Sequence, residues 1–319
     1  MLNTLYNSIQ TDLVFYQQAG VLLIALLLAQ FIYVPRASQP WYWFGRMAKS
    51  FAEKVNHIHR SDRQRKIAGL LASIILILPI WLTVTLLISL AEYPWFFEAL
   101  VLFCCLMDTS FSKDAAKIAK DISQQKNASA KARLRLWCER DCHNLSAIGL
   151  VKATIEHLAK RNLANTISIA LYYSLGGISL VLATTMLKQL EFVWPTENPK
   201  FDKFNRYLLV INHIFQVIPF MLAVMFICLY KKMSAIKILF SGLSAGQRLS
   251  QLAIQQSAAL LNIELGGPHR YAQQQVSHIK YCYGSAPQWA NISEVSKLLR
   301  IEQLLTFSIV ISTMFFMIF

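Results

Sequence analysis

Hydrophobic positions along this chain gather into long runs and do not alternate residue by residue. Residues 13–34 (LVFYQQAGVLLIALLLAQFIYV), 68–91, 207–230 and 301–319 are each long and apolar enough to cross a hydrocarbon core of roughly 30 Å. The run 96–107 is shorter and needs tilt or flanking residues to cross. The run 166–187 carries no charge but contains Gly176-Gly177, which marks either a break or a re-entrant turn. Together these runs predict an all-α fold, a polytopic integral membrane helical protein of about six spans. They form one membrane-embedded domain over 1–319.

The segments between the runs have a different rhythm. Leu145, Ile148, Val151, Ile155 and Leu158 recur at spacings of three and four, with Lys152, Glu156 and Lys160 on other faces, so Leu145–Lys160 is expected to be an amphipathic helix with Asn144 as its N-cap. SKDAAKIAKDISQQ and SAKARLRLWCERD each show one apolar stripe, suited to lying on a membrane or against a partner helix. Pro79 and Pro219 fall inside apolar runs, and LGGP at 265–268 reads as a turn.

Composition agrees with the pattern. Of 319 residues 55% are hydrophobic and only 15% charged, against about a quarter charged in soluble domains. The net charge of +14 does not point to nucleic acid, because the basic residues lie between the apolar runs. Loops 35–67, 108–165 and 231–300 hold 27 of the 31 Lys and Arg, and 188–206 holds the other four. The positive-inside rule then places those three loops in the cytoplasm and both termini outside. The expected address is a bacterial inner (plasma) membrane, with the lipid bilayer as first partner.

Candidate chemistry is sparse. Cys104, Cys105 and Cys228 lie in apolar runs and read as small buried hydrophobes. Cys138, Cys142 and His143 lack a fourth ligand at short spacing, so no metal is expected there. His57 and His59 read as loop histidines, and Trp41, Tyr42 and Trp43 as an interfacial belt. Residues 1–12 have no basic n-region, so no cleavable leader is expected. Neither a repeat nor a Walker GK[ST] loop is evident. Asn212, His213 and Gln216 form a polar cluster within one run, suited either to helix–helix bonding or to a ligand.

Several stretches, taken in order, resemble the CobD/CbiB family of cobalamin biosynthesis. QPWYWFGR at 39–46 keeps Pro40, Gly45 and Arg46. IGLVKATIEHLA at 148–159 keeps Glu156 and Ala159, and Gly176-Gly177 follows at the family's spacing. Glu191, Asn198, Phe201 and Phe204 fall where the next motif has an acid, an Asn, an aromatic and a Phe. Ile218-Pro219 and LGGP complete the series. The resemblance implies a membrane synthase that uses ATP to join aminopropanol phosphate to a carboxylate of adenosylcobyric acid. It implies Mg-ATP and a corrinoid substrate, with other cobalamin-pathway membrane proteins as partners.

Carried onto this chain, the resemblance suggests Glu156 and Glu191 as catalytic carboxylates, with Arg46, Asn198, Gly266 and Gly267 as substrate contacts. Taken alone, Glu156 reads equally as a solvated helix position and Arg46 as ordinary charge beside a span. Many ionisable family positions are replaced. The central helix has Lys160 and Arg161 for a Glu-Asn pair, and Ala164 and Asn165 for Asp-Gly. Gln39 stands for His, Thr185 for Lys, Lys188 for Asn, and Asn212-His213 for paired aspartates. Met221 replaces an Arg, and Ala253-Ile254 a Pro-Glu. A catalytically inactive relative, an AmpE-like membrane sensor, regulator or assembly partner, is therefore the alternative.

Overall fold

The computed structural model describes residues 2–230, 234–244, 247–271 and 274–316. The expected basic loop 231–300 and last run 301–319 thus each lie partly outside the described residues. Among the described residues, twelve α-helices account for most of the chain. They are α1 (Leu2–Phe31), α2 (Pro40–Val55), α3 (Asp62–Ser89), α4 (Pro94–Leu106), α5 (Phe111–Ser123), α6 (Asn127–Arg135), α7 (Ala147–Asn162), α8 (Asn165–Val193), α9 (Arg206–Tyr230), α10 (Ser234–Ser244), α11 (Leu249–Leu261) and α12 (Trp289–Phe316). Among the described residues, four stretches are long and apolar enough to cross a membrane: Asp62–Ser89, Pro94–Ser123, Ala147–Val193 and Arg206–Cys228. The apolar helix Tyr16–Phe31 is shorter. Length and composition thus support a membrane protein, but not a count of six. On α3, Leu71, Ile75, Leu78, Leu82 and Leu87 stay exposed. A stripe of that kind is suited to lipid rather than water.

The all-α expectation misses four short strands: β1 (Glu264–Gly266), β2 (His269–Tyr271), β3 (Gln274–Val276) and β4 (Lys280–Cys282). They pair antiparallel as β1 with β4 and β2 with β3. At three residues each they are too short for an alternating hydrophobic pattern to reveal. The start of α7 also differs from expectation. Ser146, not Asn144, caps it, its hydroxyl accepting from the Gly149 amide at 3.2 Å.

The feature that positions the site is the shape of α8. Its backbone leaves helical geometry at Gly176 (φ −149°, ψ 20°) and Gly177 (φ 61°, ψ −160°). A straight helix would separate Asn165 from Lys188 by about 34 Å. Instead Lys188 Nζ donates to Asn165 Oδ1 at 2.8 Å and to the Arg161 carbonyl at 2.9 Å. Helix α9 confirms the fold-back, since Gln216 bonds Ser168 from the first arm at 3.3 Å while Asn212 bonds Glu191 from the second. The run 166–187 is therefore a helical hairpin whose two ends lie side by side. A straight span is not what forms there.

A buried polar network ties this hairpin to its neighbours. Asp108, fully buried, accepts from Arg161 and, at 2.6 Å, from Gln189 Nε2. Arg161 also lies over the Phe192 ring at 4.3 Å, and Arg36 over Trp137 at 4.7 Å. A buried guanidinium needs such partners, because desolvation is costly without them. One apolar core lies on the side of α5, α7 and α11, and a second around α2, α3, α4 and the α8 hairpin.

Candidate functional site

Where α7, the end of α8 and β2 meet, a cleft of about 90 Å³ opens. Glu156, Lys160, Glu191, Glu197, His269 and Tyr271 all line it. Helix α7 presents Glu156 and Lys160 one turn apart on the same face, as the i, i+4 spacing requires. The second arm of α8 returns Glu191 to that level, and the turn after it brings Glu197.

Each carboxylate has distinct partners. Glu156, only 3% exposed, accepts from Arg140 Nη1 at 2.8 Å and from the Gly266 amide at 2.9 Å. His269 Nε2 stands 3.2 Å from its other flank without the alignment of a hydrogen bond. Glu197 accepts from Lys160 Nζ at 2.8 and 2.9 Å and from the Tyr271 hydroxyl at 3.1 Å. Burial alone would raise the Glu197 carboxyl, but the Lys160 ammonium outweighs it and holds the group at about 2. Glu191 accepts from Asn212 and makes no ion pair among the described residues. Burial pushes the His278 imidazole down to about 4, so it is neutral near pH 7.

The structure brings together three of the six residues suggested by sequence: Glu156, Glu191 and Gly266. Gly266 has φ 77°, and a Cβ there would stand 2.2 Å from the Ile279 carbonyl oxygen. Only glycine can present this amide to Glu156. Gly267 (φ 104°) shapes the same turn, its amide reaching the Ile279 carbonyl at 3.4 Å. Arg46 is exposed and lies over the rings of Tyr42 and Trp43 at 6.0 and 5.7 Å, away from the cleft. Asn198 serves a local turn, its Oδ1 accepting from the Lys200 amide at 3.0 Å. Trp41 is not an interfacial residue but is buried, donating to the Cys104 carbonyl at 2.7 Å. All six cysteines are free, and Cys138 Sγ lies 3.4 Å from His157 Nδ1.

Sequence reasoning missed Arg140, Glu197, His269, Tyr271 and His278. His269 and Tyr271 directly follow the LGGP turn, and that adjacency was the one available signal. Among the described residues, one group of three potential metal ligands comes close enough to share an ion: Glu197, His269 and His278.

The family described as CobD/Cbib protein matches residues 22–301, most of the chain. The chain belongs to the CobD/CbiB family. Among similar proteins, cobalamin biosynthesis protein CobD of Stutzerimonas stutzeri is 23% identical, over 88% of this chain and 91% of that protein. Cobalamin biosynthesis protein CobD of Citrobacter koseri is 22% identical, over 82% and 85%. Cobalamin biosynthesis protein CbiB of Salmonella typhi is 20% identical over the same shares. No solved structure matches. Membership suggests a role in cobalamin biosynthesis.

Proposed function

We propose that the cleft carries out the amide-forming step the family resemblance implies, joining aminopropanol phosphate to a carboxylate of adenosylcobyric acid with ATP. One observation carries this reading. The hairpin of α8 gathers segments that are far apart in sequence, including Glu156, Glu191, Glu197 and the LGGP turn, into a single cleft. Lys160 and Arg140, paired with Glu197 and Glu156, are the cations lining the cleft that phosphate oxygens could share. As the C–N bond forms, the carboxylate's C–O bond breaks, its oxygen leaving with the phosphoryl group taken from ATP, and the incoming amine must lose a proton. Glu191 is the carboxylate without a cationic partner among the described residues, so it is assigned as acceptor. Glu156, held by Arg140 and the Gly266 amide, acts as a positioning residue.

Magnesium takes oxygen ligands. Glu156 and Glu197 are each paired with a cation, and the two imidazoles beside Glu197 do not suit an all-oxygen ion, so the cleft does not fit a protein-held Mg²⁺, and no step is assigned to one. The same pairing favours the second reading, an inactive AmpE-like regulator or assembly partner, because two of the cleft's carboxylates are neutralised internally.

The reading includes a topology. Contacting side chains share one membrane side. Lys49 pairs with Glu139, Arg65 donates to the Lys200 carbonyl, and Tyr271 donates to Glu197. Loops 35–67, 108–165, 188–206 and 231–300 then share one face, cytoplasmic by the positive-inside rule. Neither α8 nor α9 makes a net crossing, and the crossings fall in α1, α3, α4 and α12.

The test uses purified protein in detergent with Mg-ATP, adenosylcobyric acid and aminopropanol phosphate, with chromatography for adenosylcobinamide phosphate. Product that is lost in Glu191→Gln, while the variant keeps its thermal stability, is the expected result. No product beside an active family enzyme prepared identically would reject the synthase and leave the regulator.

A further inference from the structure

We propose that Glu197, His269 and His278 form a binding site for a divalent transition-metal ion of the zinc type. The potential ligand atoms of the three side chains all lie within 4.8 Å of one another. His269 is 7% exposed, and neither of its ring nitrogens has a hydrogen-bond partner. His278 Nε2 is likewise shielded from solvent and unpartnered. His269 Nε2 has Glu156 Oε2 at 3.2 Å beside it, whereas His269 Nδ1 and His278 Nε2 have nothing to bond, which is costly for buried imidazole nitrogens unless something binds them. The two rings also pack on each other, with centroids 4.3 Å apart.

The distances suit an ion. His269 Nδ1 lies 3.9 Å from Glu197 Oε2, too far for a hydrogen bond. Two zinc bonds of about 2.05 Å at the tetrahedral angle separate their donor atoms by about 3.4 Å, so this pair needs to close by about half an ångström and the widest pair, within 4.8 Å, by at most about 1.4 Å. Glu197 can accept the ion at the expense of one bond. Of the about four acceptor positions of a carboxylate, Lys160 and Tyr271 take two at Oε2 and Lys160 one at Oε1, so an ion at Oε2 displaces the Lys160 bond there and leaves the one to Oε1. With Nδ1 on the metal, the His269 Nε2–H faces Glu156 Oε2 at 3.2 Å. That is the carboxylate–histidine–metal arrangement in which an outer carboxylate fixes the tautomer and orients the ring. Two imidazoles and one carboxylate select zinc-like ions over magnesium.

The proposal does not depend on the reaction above, and its test contains no substrate. Full-length protein in detergent is stripped with chelator and titrated with Co²⁺, following the visible absorption of tetrahedral cobalt, and then with Zn²⁺ as competitor. One equivalent is expected to bind. His269→Ala and His278→Ala should each weaken binding at least tenfold, and a Cys138→Ser/Cys142→Ser double variant should bind as wild type. Glu156→Gln should weaken binding about 10- to 100-fold, as loss of an outer partner does. Thermal unfolding without metal identifies any variant that fails to fold. In that event His278→Gln, at a half-buried position, replaces it, and the loss of a zinc-induced rise in Tm is the supporting result. Absence of uptake by the wild type would overturn the site, as would uptake that persists in both histidine variants or vanishes in the cysteine variant.

Discussion

Replacing Gly177 by Ala tests the feature on which the cleft depends. At φ 61° and ψ −160°, Gly177 occupies backbone space essentially closed to residues with a Cβ. A Cβ built there meets nothing within 4 Å, so the penalty is conformational, with no added clash. Such strain costs about 1–3 kcal/mol. This should not straighten α8, because straightening would also break the buried bonds of Lys188 and Gln189. The folded state should instead lose stability, with Tm falling by about 2–12 °C at roughly 2–4 °C per kcal/mol. Scanning fluorimetry in one detergent would measure it. Gly20→Ala is the control, since Gly20 lies within helix α1 and a Cβ there also meets nothing. At a helical position the same change removes unfolded-state freedom and should stabilise by about 0.4–1 kcal/mol. If both variants shift Tm upward, or neither shifts it, the helical hairpin is not held by a glycine-only turn and the convergence argument fails.

Three further outcomes follow from the same geometry. In a Cys282→Ser background, Lys126→Cys and Pro199→Cys, both exposed positions, should be labelled by an impermeant maleimide from the same face of sealed vesicles. Labelling from opposite faces would restore a crossing between them. Asp108→Asn leaves Arg161, 2% exposed, without its buried carboxylate and should destabilise by about 3–5 kcal/mol. A change in Tm no larger than that of an exposed Asp62→Asn control would contradict the network. Ala164 joins α7 to α8 at φ 66°, where a Cβ costs about 1–2 kcal/mol. Ala164→Gly should therefore raise Tm, and a fall would show that the residue is not left-handed.

The sequence made some levels of this structure legible and hid others for identifiable reasons. Helical periodicity located α7 and set Glu156 one turn from Lys160, because burial imposes a 3.6-residue rhythm that survives in the letters. The glycine pair announced an interruption in α8. Its direction depends on tertiary bonds from Lys188, Asn165 and Asn212, and no local pattern records those. Glu197 and His278 were missed because each lies in an irregular or three-residue segment where no period forms. Arg46 was misplaced for the opposite reason. It stands in a recognisable motif, but the helix carrying it turns that side chain towards Tyr42 and Trp43.

Counting charge loop by loop treated every Lys and Arg as a vote on sidedness, and four votes in 188–206 fell outside the cytoplasmic set. Lys188 shows why that reading fails. Its ammonium is 7% exposed and bonded to the Arg161 carbonyl, in a loop the same count placed on the opposite face. Both assignments cannot hold across a bilayer. In the topology proposed above, 188–206 joins the three other basic loops, which removes the conflict and assigns all 31 Lys and Arg to one face, a stricter fit to the rule than the 27 that six alternating spans allowed. Where a buried cation bonds a distant backbone carbonyl, that bond outranks hydropathy as evidence for topology. A hydropathy window sees only composition, whereas a hydrogen bond fixes two points of the chain at one depth.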